Sequence, residues 1–112
     1  MGVPRLATEP QPTTSEVRER RIINVLMALQ PGEVTTYGDV ADVAGYPKLA
    51  RQVGRILAST DADVPWWRVV NSSGRLVPGH EPEQAALLLE EEVIVGNNRV
   101  RSAPSGRFQA DR

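Results

Sequence analysis

Apolar residues in the N-terminal half of the chain recur with the period of an α-helix. A capping box at residues 13–16 opens a first helix, which ends before Pro31. Thr36 is placed to cap a second, short helix, and Gly45 ends it. The residues expected to face the core are Ile22, Val25, Leu26 and Leu29 in the first helix and Val40, Ala41 and Val43 in the second.

Two further helices follow from the same kind of pattern. Pro47 suits the first turn of a third helix that reaches about Ala58, and residues 81–83 open a fourth. Because a short Gly-Tyr-Pro turn joins the second helix to the third, this pair is typical of a helix-turn-helix. The expected core residues are Leu49, Val53, Ile56 and Leu57 in the third helix and Ala85, Leu88 and Leu89 in the fourth.

The C-terminal half contains two pairs of short β-like segments, each pair flanking a turn. Residues 68–70 and 75–77 flank Asn-Ser-Ser-Gly, which predicts a small hairpin or wing. Residues 93–95 and 99–101 flank Gly-Asn-Asn in the same way. We therefore predict a mainly α, winged-helix-like domain with a helix-turn-helix and one or two small β-hairpins.

Composition suggests one small folded unit between two loose ends. The 112 residues are 40% hydrophobic and 24% charged, which is typical of a single small globular domain. Residues 1–12 contain three prolines and no apolar segment of the kind a signal peptide needs. We expect a disordered N-terminal segment at 1–12, a folded domain at 13–101 and a flexible C-terminal tail at 102–112.

The residue types exclude several classes of chemistry. No apolar run is long enough to span a membrane, so we expect an intracellular, cytoplasmic protein. The absence of cysteine excludes disulfides and thiolate metal sites, and a single histidine, His80, excludes a histidine cluster within one chain. We expect no metal and no cofactor. With a net charge of −1, any nucleic-acid binding must use a local cationic patch.

The predicted third helix provides such a patch. Lys48, Arg51 and Arg55 are spaced three and four residues apart, and the small residues Ala50 and Gly54 keep the surface between them low. A solvated helix face would show the same charges. Gly54 costs the helix about 1 kcal/mol relative to alanine, which indicates close approach by either a neighbouring helix or a DNA backbone.

Residues 65–71, Pro-Trp-Trp-Arg-Val-Val-Asn, contain both tryptophans of the chain. Large aromatic side chains most often fill a core. An exposed indole can instead stack on an unpaired base, and such a contact contributes about 1–3 kcal/mol per base. Both interpretations of the pair remain open from the residues alone.

Three motifs together resemble the O6-alkylguanine-DNA alkyltransferases. They are residues 36–38 (Thr-Tyr-Gly), 47–54 (Pro-Lys-x-x-Arg-x-Val-Gly) and 65–71, and the resemblance extends over about 15–95. Trp66 stands where these enzymes have the acceptor cysteine, and Trp67 stands where they have the histidine that relays its proton. The resemblance therefore implies an alkyltransferase-like protein that is not an enzyme.

The resemblance also implies how DNA is bound. The third helix would dock in the minor groove, with Ala50 and Gly54 at the groove and Lys48 and Arg55 beside it. Arg51 corresponds to the finger that replaces the extruded nucleotide in the base stack. Tyr37 corresponds to the tyrosine that rotates the phosphate and helps to extrude the base.

The lesion pocket implied by the resemblance is centred on Tyr37 and on residues 65–71, which we call the acceptor segment. Its expected residues are Tyr37, Val64, Pro65, Trp66, Trp67, Arg68 and Arg75. Residues 73–80 would form the rim of this pocket, although a surface wing is the alternative for them. Relatives often carry an additional arginine on this loop; none lies between Leu76 and Glu92 here, so Arg75 or His80 would have to serve. Asn71 is expected to be structural. Residues 88–92, Leu-Leu-Glu-Glu-Glu, resemble the family pattern Leu-Leu-x-x-Glu-Gly. Glu92 would then be the glutamate that holds the histidine in the enzymes, with Val93 in place of the usual glycine.

These features lead to one principal hypothesis and two alternatives. The principal one is a monomeric, nucleoid-associated protein that binds O6-alkylguanine in duplex DNA, extrudes the base without alkyl transfer and marks it for nucleotide excision repair proteins. A winged-helix transcription regulator would instead prefer a sequence over a lesion. A DNA-modifying enzyme would need a nucleophile paired with a base, and the sequence offers no such pair.

Overall fold

The computed structural model describes residues 11–110, which form four helices and five short strands. The longest helix has 14 residues, and none of the helices in this range is long and apolar enough to cross a membrane. The mainly α architecture predicted from the sequence is confirmed. The elements in chain order are α1 (Thr14–Met27), β1 (Glu33–Thr36), α2 (Tyr37–Ala44), α3 (Ala50–Ser59), a 3₁₀ turn (Trp66–Arg68), β2 (Val69–Val70), α4 (Glu81–Glu90), β3 (Ile94–Gly96), β4 (Arg99–Ser102) and β5 (Ser105–Gly106).

The first two helices begin and end at the residues that the sequence predicts. The Thr13 hydroxyl accepts from the Glu16 N–H at 3.0 Å, while the Glu16 carboxylate accepts from the Thr13 N–H at 2.8 Å. Thr36 Oγ1 accepts from the Asp39 N–H at 3.1 Å, and Gly45 ends α2 with φ 95°. Both capping predictions are confirmed, because these signals depend only on residues three or four positions apart.

The third helix starts later than predicted. Pro47 lies in the turn before α3, and Lys48 adopts φ 76°, which is incompatible with a helix. Leu49 is the N-cap, and Ala50 is the first helical residue. Lys48 therefore projects from the connecting turn and not from the helix itself.

Two residues predicted for the core are exposed. Val43 is 73% exposed and Leu89 is 72% exposed. In α4 the buried residues Gln84 and Leu88 are four apart, and Leu89 lies about 100° further around the helix, where it faces solvent. The eight-residue α2 likewise buries Val40, Ala41 and Ala44 and leaves Val43 outside.

The central sheet joins segments that are distant in sequence. β1 pairs in parallel with β2, with Thr35 opposite Val69, and on its other side with β5. The predicted hairpin between residues 68–70 and 75–77 is therefore wrong. Asn71 Oδ1 accepts from the N–H groups of Ser73 and Arg75, so this turn is closed by a side chain, and Arg75 bridges to Arg99 instead.

The second predicted hairpin is confirmed. β3 and β4 are antiparallel, with Gly96 opposite Arg99. The two residues between them, Asn97 and Asn98, have φ 52° and 59°, the left-handed conformation that a tight two-residue hairpin turn requires.

Residues 102–109 pack against the folded domain, and this corrects the prediction of a flexible tail from residue 102. β5 covers the free edge of β1, and the Arg107 N–H donates to the Val34 carbonyl at 2.9 Å. Gly106 has φ 88°, and its Cα lies so close to the Val34 backbone that a side chain has no space. Ala103 is buried, so the folded part continues past the predicted boundary at 101. Of the N-terminal segment 1–12, all but the last two residues lie outside the described residues.

Two hydrophobic clusters lie on either side of the acceptor segment. The first cluster is formed by α1, α2 and α3 with Val64 and Val69, and Trp66 packs against it. The second is formed by Val34, Val70, Leu76, Leu88, Val93, Val100 and Ala103, and Trp67 packs against it. The two adjacent tryptophans thus belong to different halves of the fold.

Candidate functional site

An open cleft of about 400 Å³ lies between α3, the start of α2 and the segment that leads from the 3₁₀ turn into α4. Aromatic and aliphatic side chains form most of its surface, and two ionisable side chains of α4 and its N-cap stand at one side. The lining residues are Tyr37, Gly54, Leu57, Ala58, Trp66, Val77, His80 and Glu83. The cleft has room for a planar ring bearing a substituent.

Trp66 is the largest side chain on the cleft surface. One part of it packs against the first hydrophobic cluster, and the rest is accessible from the cleft. Its ring centroid lies 5.9 Å from that of His80 and 6.3 Å from that of Trp67, with edge-to-face angles of 66° and 89°. These neighbours fix the indole in place while leaving it able to contact a bound group.

Tyr37 and Gly54 face each other on the opposite side of the cleft. Burial raises the pKa of the Tyr37 hydroxyl, so the group stays protonated at neutral pH and can donate a hydrogen bond. A Cβ built on Gly54 would lie 4.0 Å from the Tyr37 ring, which is an ordinary contact distance. Packing among the described residues therefore does not require glycine at this position.

The cationic side chains of α3 point away from the core. Arg51 and Arg55 are exposed on the helix, and Lys48 is exposed on the turn before it. No carboxylate within residues 11–110 forms an ion pair with any of the three. Ala50 is half-buried at the start of the helix, so the surface around Arg51 stays low.

Glu91 is the centre of a dense polar cluster behind the cleft. It accepts from Trp67 Nε1 at 2.8 Å, from Arg68 Nη2 at 2.7 Å and from the Gly32 N–H at 2.8 Å. The Arg68 guanidinium also donates to the Leu29 carbonyl at 2.9 Å and lies 5.1 Å from the Trp67 ring centroid. Only 11% of the Arg68 side chain and 12% of the Glu91 side chain are exposed.

The carboxyl group of Glu91 is held in its ionised form. Burial alone raises its pKa, but the hydrogen bonds from Arg68, Gly32 and Trp67, together with the Arg68 charge, outweigh burial and lower the pKa below its usual range. The cluster is thus a stable ion pair that fixes residue 67 to the end of α4.

The residue that holds position 67 is therefore Glu91 and not the predicted Glu92. Glu92 is exposed and adopts φ 65°, a left-handed conformation that favours glycine. Shifting the Leu-Leu-x-x-Glu-Gly pattern by one residue, so that it starts at Leu87, places Glu92 at the glycine position. Because three glutamates follow one another in the sequence, the sequence alone does not show which of them contacts residue 67.

Only two of the predicted pocket residues line the cleft. Tyr37 and Trp66 do so, whereas Trp67 and Arg68 are engaged with Glu91. Val64 and Pro65 are buried. Of the two candidates for the rim, His80 lines the cleft, and Arg75 does not.

Three lining residues were not predicted, namely Leu57, Ala58 and Glu83, whereas Val77 lies in the predicted rim at residues 73–80. Leu57 was expected to be a core residue, and Ala58 only the end of its helix. Glu83 reaches the cleft because the first turn of α4 packs against the acceptor segment, a contact that no local pattern indicates.

Gln84, also not predicted, is a fully buried polar residue next to the cleft. Its side-chain NH₂ donates to the carbonyls of Trp67 and Val69 at 3.1 and 3.3 Å, and its oxygen accepts from the Val77 N–H at 2.7 Å. A buried amide with all these partners satisfied is a stable cross-link. It joins α4, the acceptor segment and the loop that carries Val77.

Comparison with known proteins identifies relatives over most of the chain. Residues 18–94 match the family model described as the DNA-binding domain of 6-O-methylguanine DNA methyltransferase. A DNA base-flipping protein of Escherichia coli (strain K12) is 38% identical over 86 residues, which cover 72% of this chain and 67% of that protein. Alkyltransferase-like protein 1 of Schizosaccharomyces pombe is 34% identical over 81 residues, covering 67% and 75%, respectively.

Solved structures give the same result. The crystal structure of S. pombe Atl1 in complex with damaged DNA containing O6-carboxymethylguanine superposes with a TM-score of 0.64 at 32% identity, covering 70% of this chain and 79% of that one. Mycobacterium tuberculosis OGT in complex with DNA gives a TM-score of 0.61 at 30% identity, covering 75% and 53%.

Proposed function

The chain belongs to the family of the 6-O-methylguanine DNA methyltransferase DNA-binding domain, and on this premise we propose that it recognises O6-alkylguanine in duplex DNA by extruding the damaged base, without removing the alkyl group. The observation that carries the proposal is an indole, Trp66, at the acceptor position, bordering an open cleft beside an exposed cationic helix. Relatives named as a base-flipping protein and as a protein bound to damaged DNA support it.

Docking relies on α3. Arg51 and Arg55 on the helix, with Lys48 on the preceding turn, give a chain of net charge −1 a local surface for phosphates. The small residues Ala50 and Gly54 allow this surface to approach the floor of a minor groove. Arg51 then occupies the space that the extruded nucleotide leaves in the base stack.

Extrusion costs a few kcal/mol, and less when alkylation has already weakened the base pair. Stacking on Trp66 contributes about 1–3 kcal/mol per base and offsets much of this cost. The protonated hydroxyl of Tyr37 donates to the rotated phosphate at the edge of the cleft. Lesion preference follows because a normal guanine has to break a full base pair for the same contacts.

Alkyl transfer is not expected, because neither catalytic part of the enzymes is present. Trp66 offers no thiolate, and the Trp67 indole N–H only donates and is already bonded to Glu91. Trp66→Cys is therefore expected to take up no alkyl group, since no base lies at position 67 to receive the thiol proton. Transfer of label from O6-[methyl-³H]guanine DNA to this variant would contradict the role given to Trp67, and label on the wild-type protein would contradict the binding-only mechanism.

A protein that binds a lesion and leaves it in place needs a successor. We propose that a monomer, located at the nucleoid with its DNA ligand, marks the site for nucleotide excision repair proteins. Reconstituted incision of an O6-alkylguanine duplex should proceed faster when the protein is added. Unchanged or slower incision would contradict this step alone and leave lesion binding unaffected.

The first test is a pair of binding isotherms at one salt concentration. One duplex carries a single O6-methylguanine, and the other carries guanine at the same place. A preference for the lesion of at least about tenfold, or 1.4 kcal/mol, is expected. Equal affinities, combined with preference for a particular sequence, would favour the transcription-regulator alternative.

A further inference from the structure

The charged groups of the cleft are distributed unevenly. Among its lining residues the only carboxylate is Glu83, the only imidazole is His80, and there is no lysine or arginine. Lys48, Arg51 and Arg55 are exposed on or before α3 and do not line the cleft. The space available to an O6 substituent thus meets an anionic residue without a compensating lysine or arginine.

The remaining cleft surface suits an uncharged group. Leu57, Ala58 and Val77 are aliphatic, and Trp66 and Tyr37 are aromatic. His80 Nδ1 is 3.9 Å from Glu83 Oε1, a distance at which the two form an ion pair only when the imidazole is protonated and which is too long for a hydrogen bond. With a neutral imidazole, the Glu83 carboxylate is therefore free to act on a ligand. Glu83 lies in the first turn of α4, where the helix dipole favours its negative charge.

We propose that Glu83 determines the charge of the O6 substituents that this protein accepts, selecting neutral alkyl groups against anionic ones. The inference rests on the proposed function, because it assigns the cleft to the extruded base. S. pombe Atl1 has been crystallised with DNA containing O6-carboxymethylguanine, an anionic adduct, so this adduct is a direct probe of the proposal. Because 65% of the Glu83 side chain is exposed, we expect solvent to screen the effect to roughly two- to fivefold in affinity.

The test uses two duplexes that differ only in charge. One carries O6-carboxymethylguanine and the other its neutral isostere, O6-carbamoylmethylguanine, so shape and size are nearly constant. Dissociation constants are measured for the wild-type protein, for Glu83→Gln and Glu83→Lys, and for Glu90→Gln as a control. Glu90 is exposed at the far end of α4 and loses the same charge when substituted.

The ratio of the two affinities, compared between variants, is the informative quantity, because any intrinsic difference between the duplexes cancels. The wild-type preference for the neutral adduct should fall by roughly two- to fivefold in Glu83→Gln and further in Glu83→Lys. Glu90→Gln should keep the wild-type ratio. A ratio that is equal in all four proteins, or that changes as much in Glu90→Gln as in Glu83→Gln, would overturn the assignment of Glu83.

Failure of the proposed function gives a different result. If neither adduct binds more tightly than unmodified guanine, lesion recognition itself is refuted. If both bind more tightly but with a ratio independent of residue 83, only the charge selection is refuted. Far-ultraviolet circular dichroism confirms that each variant is folded, and Glu83→Lys provides a second measurement in case Glu83→Gln does not fold.

Discussion

Trp66 and Trp67 are neighbours in sequence, yet they occupy opposite kinds of environment. Trp67 donates to Glu91 in a cluster where the ionised groups are about nine-tenths buried and fully bonded. Trp66 borders an open cleft and touches only the edges of other rings and one hydrophobic cluster. The polar groups around Trp67 are hydrogen-bonded to one another without a ligand, whereas part of the Trp66 surface remains available to contact one. The two indoles therefore divide the work, one stabilising the fold and the other available for binding.

The largest expected effect is on the stability of the polar cluster around Trp67. Glu91→Gln removes the charge that compensates the buried Arg68 guanidinium, and we expect the free energy of unfolding to fall by about 3 kcal/mol. Urea denaturation checks this. Glu90→Gln, the same substitution at the exposed neighbouring residue, should change stability by less than about 0.5 kcal/mol. Equal midpoints for the two variants would show that the cluster is not what holds Trp67.

The same pair predicts a dependence on pH. Because the pKa of Glu91 is lower in the folded protein than its ordinary 4.5, its stabilisation is fully present above that value and is lost as pH falls through the lower, folded value. The stability difference between wild type and Glu91→Gln should thus be constant near neutrality and shrink in acid. A difference that grows below pH 4.5 would contradict the direction of this shift.

Trp66→Ala acts on the open environment. Loss of the stacking surface should lower the preference for O6-methylguanine over guanine by about tenfold, or 1.4 kcal/mol. Trp67→Phe is the matched change next to it. It should lower stability by about 1 kcal/mol through the lost hydrogen bond to Glu91 and leave the preference unchanged. If both variants lost preference equally, the division between the two indoles would be wrong.

Arg51→Ala tests the exposed cationic surface of α3. We expect binding to lesion-containing and unmodified duplexes to weaken alike by about tenfold, because the variant loses the side chain that fills the vacated stack in both cases. Arg101→Ala removes the same charge from an exposed position on β4 and should bind like the wild type. Equal losses in the two variants would indicate a general charge effect and no specific role for position 51.

The smallest expected effect concerns Gly54. Alanine fits there at 4.0 Å from the Tyr37 ring, and it should raise the free energy of unfolding by about 0.5–1 kcal/mol. The added methyl group would stand between α3 and an approaching DNA strand, so affinity should fall while stability rises. If the alanine variant is more stable and binds DNA as tightly as the wild type, close approach of DNA is not the reason for this glycine.

Sequence patterns correctly predicted the features that depend on contacts between residues close together in the chain. Thr13, Thr36 and Gly45 set helix ends through neighbours a few residues away, and Tyr37 and Trp66 occupy positions that whole motifs define. The pairing of β1 with β5 joins Val34 to Gly106, and nothing in either segment indicates its partner. Glu83 reaches the cleft through the same kind of distant packing, which is why pattern reasoning identified the acceptor segment and missed this residue of α4.

Gln84 has a mechanical consequence for the entry of a base. Its amide ties α4, the acceptor segment and the Val77 loop together, and separating any two of them would strand a buried polar group at a cost of about 1–3 kcal/mol. These three elements therefore form one rigid wall of the cleft. A base that enters the cleft thus meets a surface whose shape is already set by α4, the acceptor segment and the Val77 loop before DNA binds.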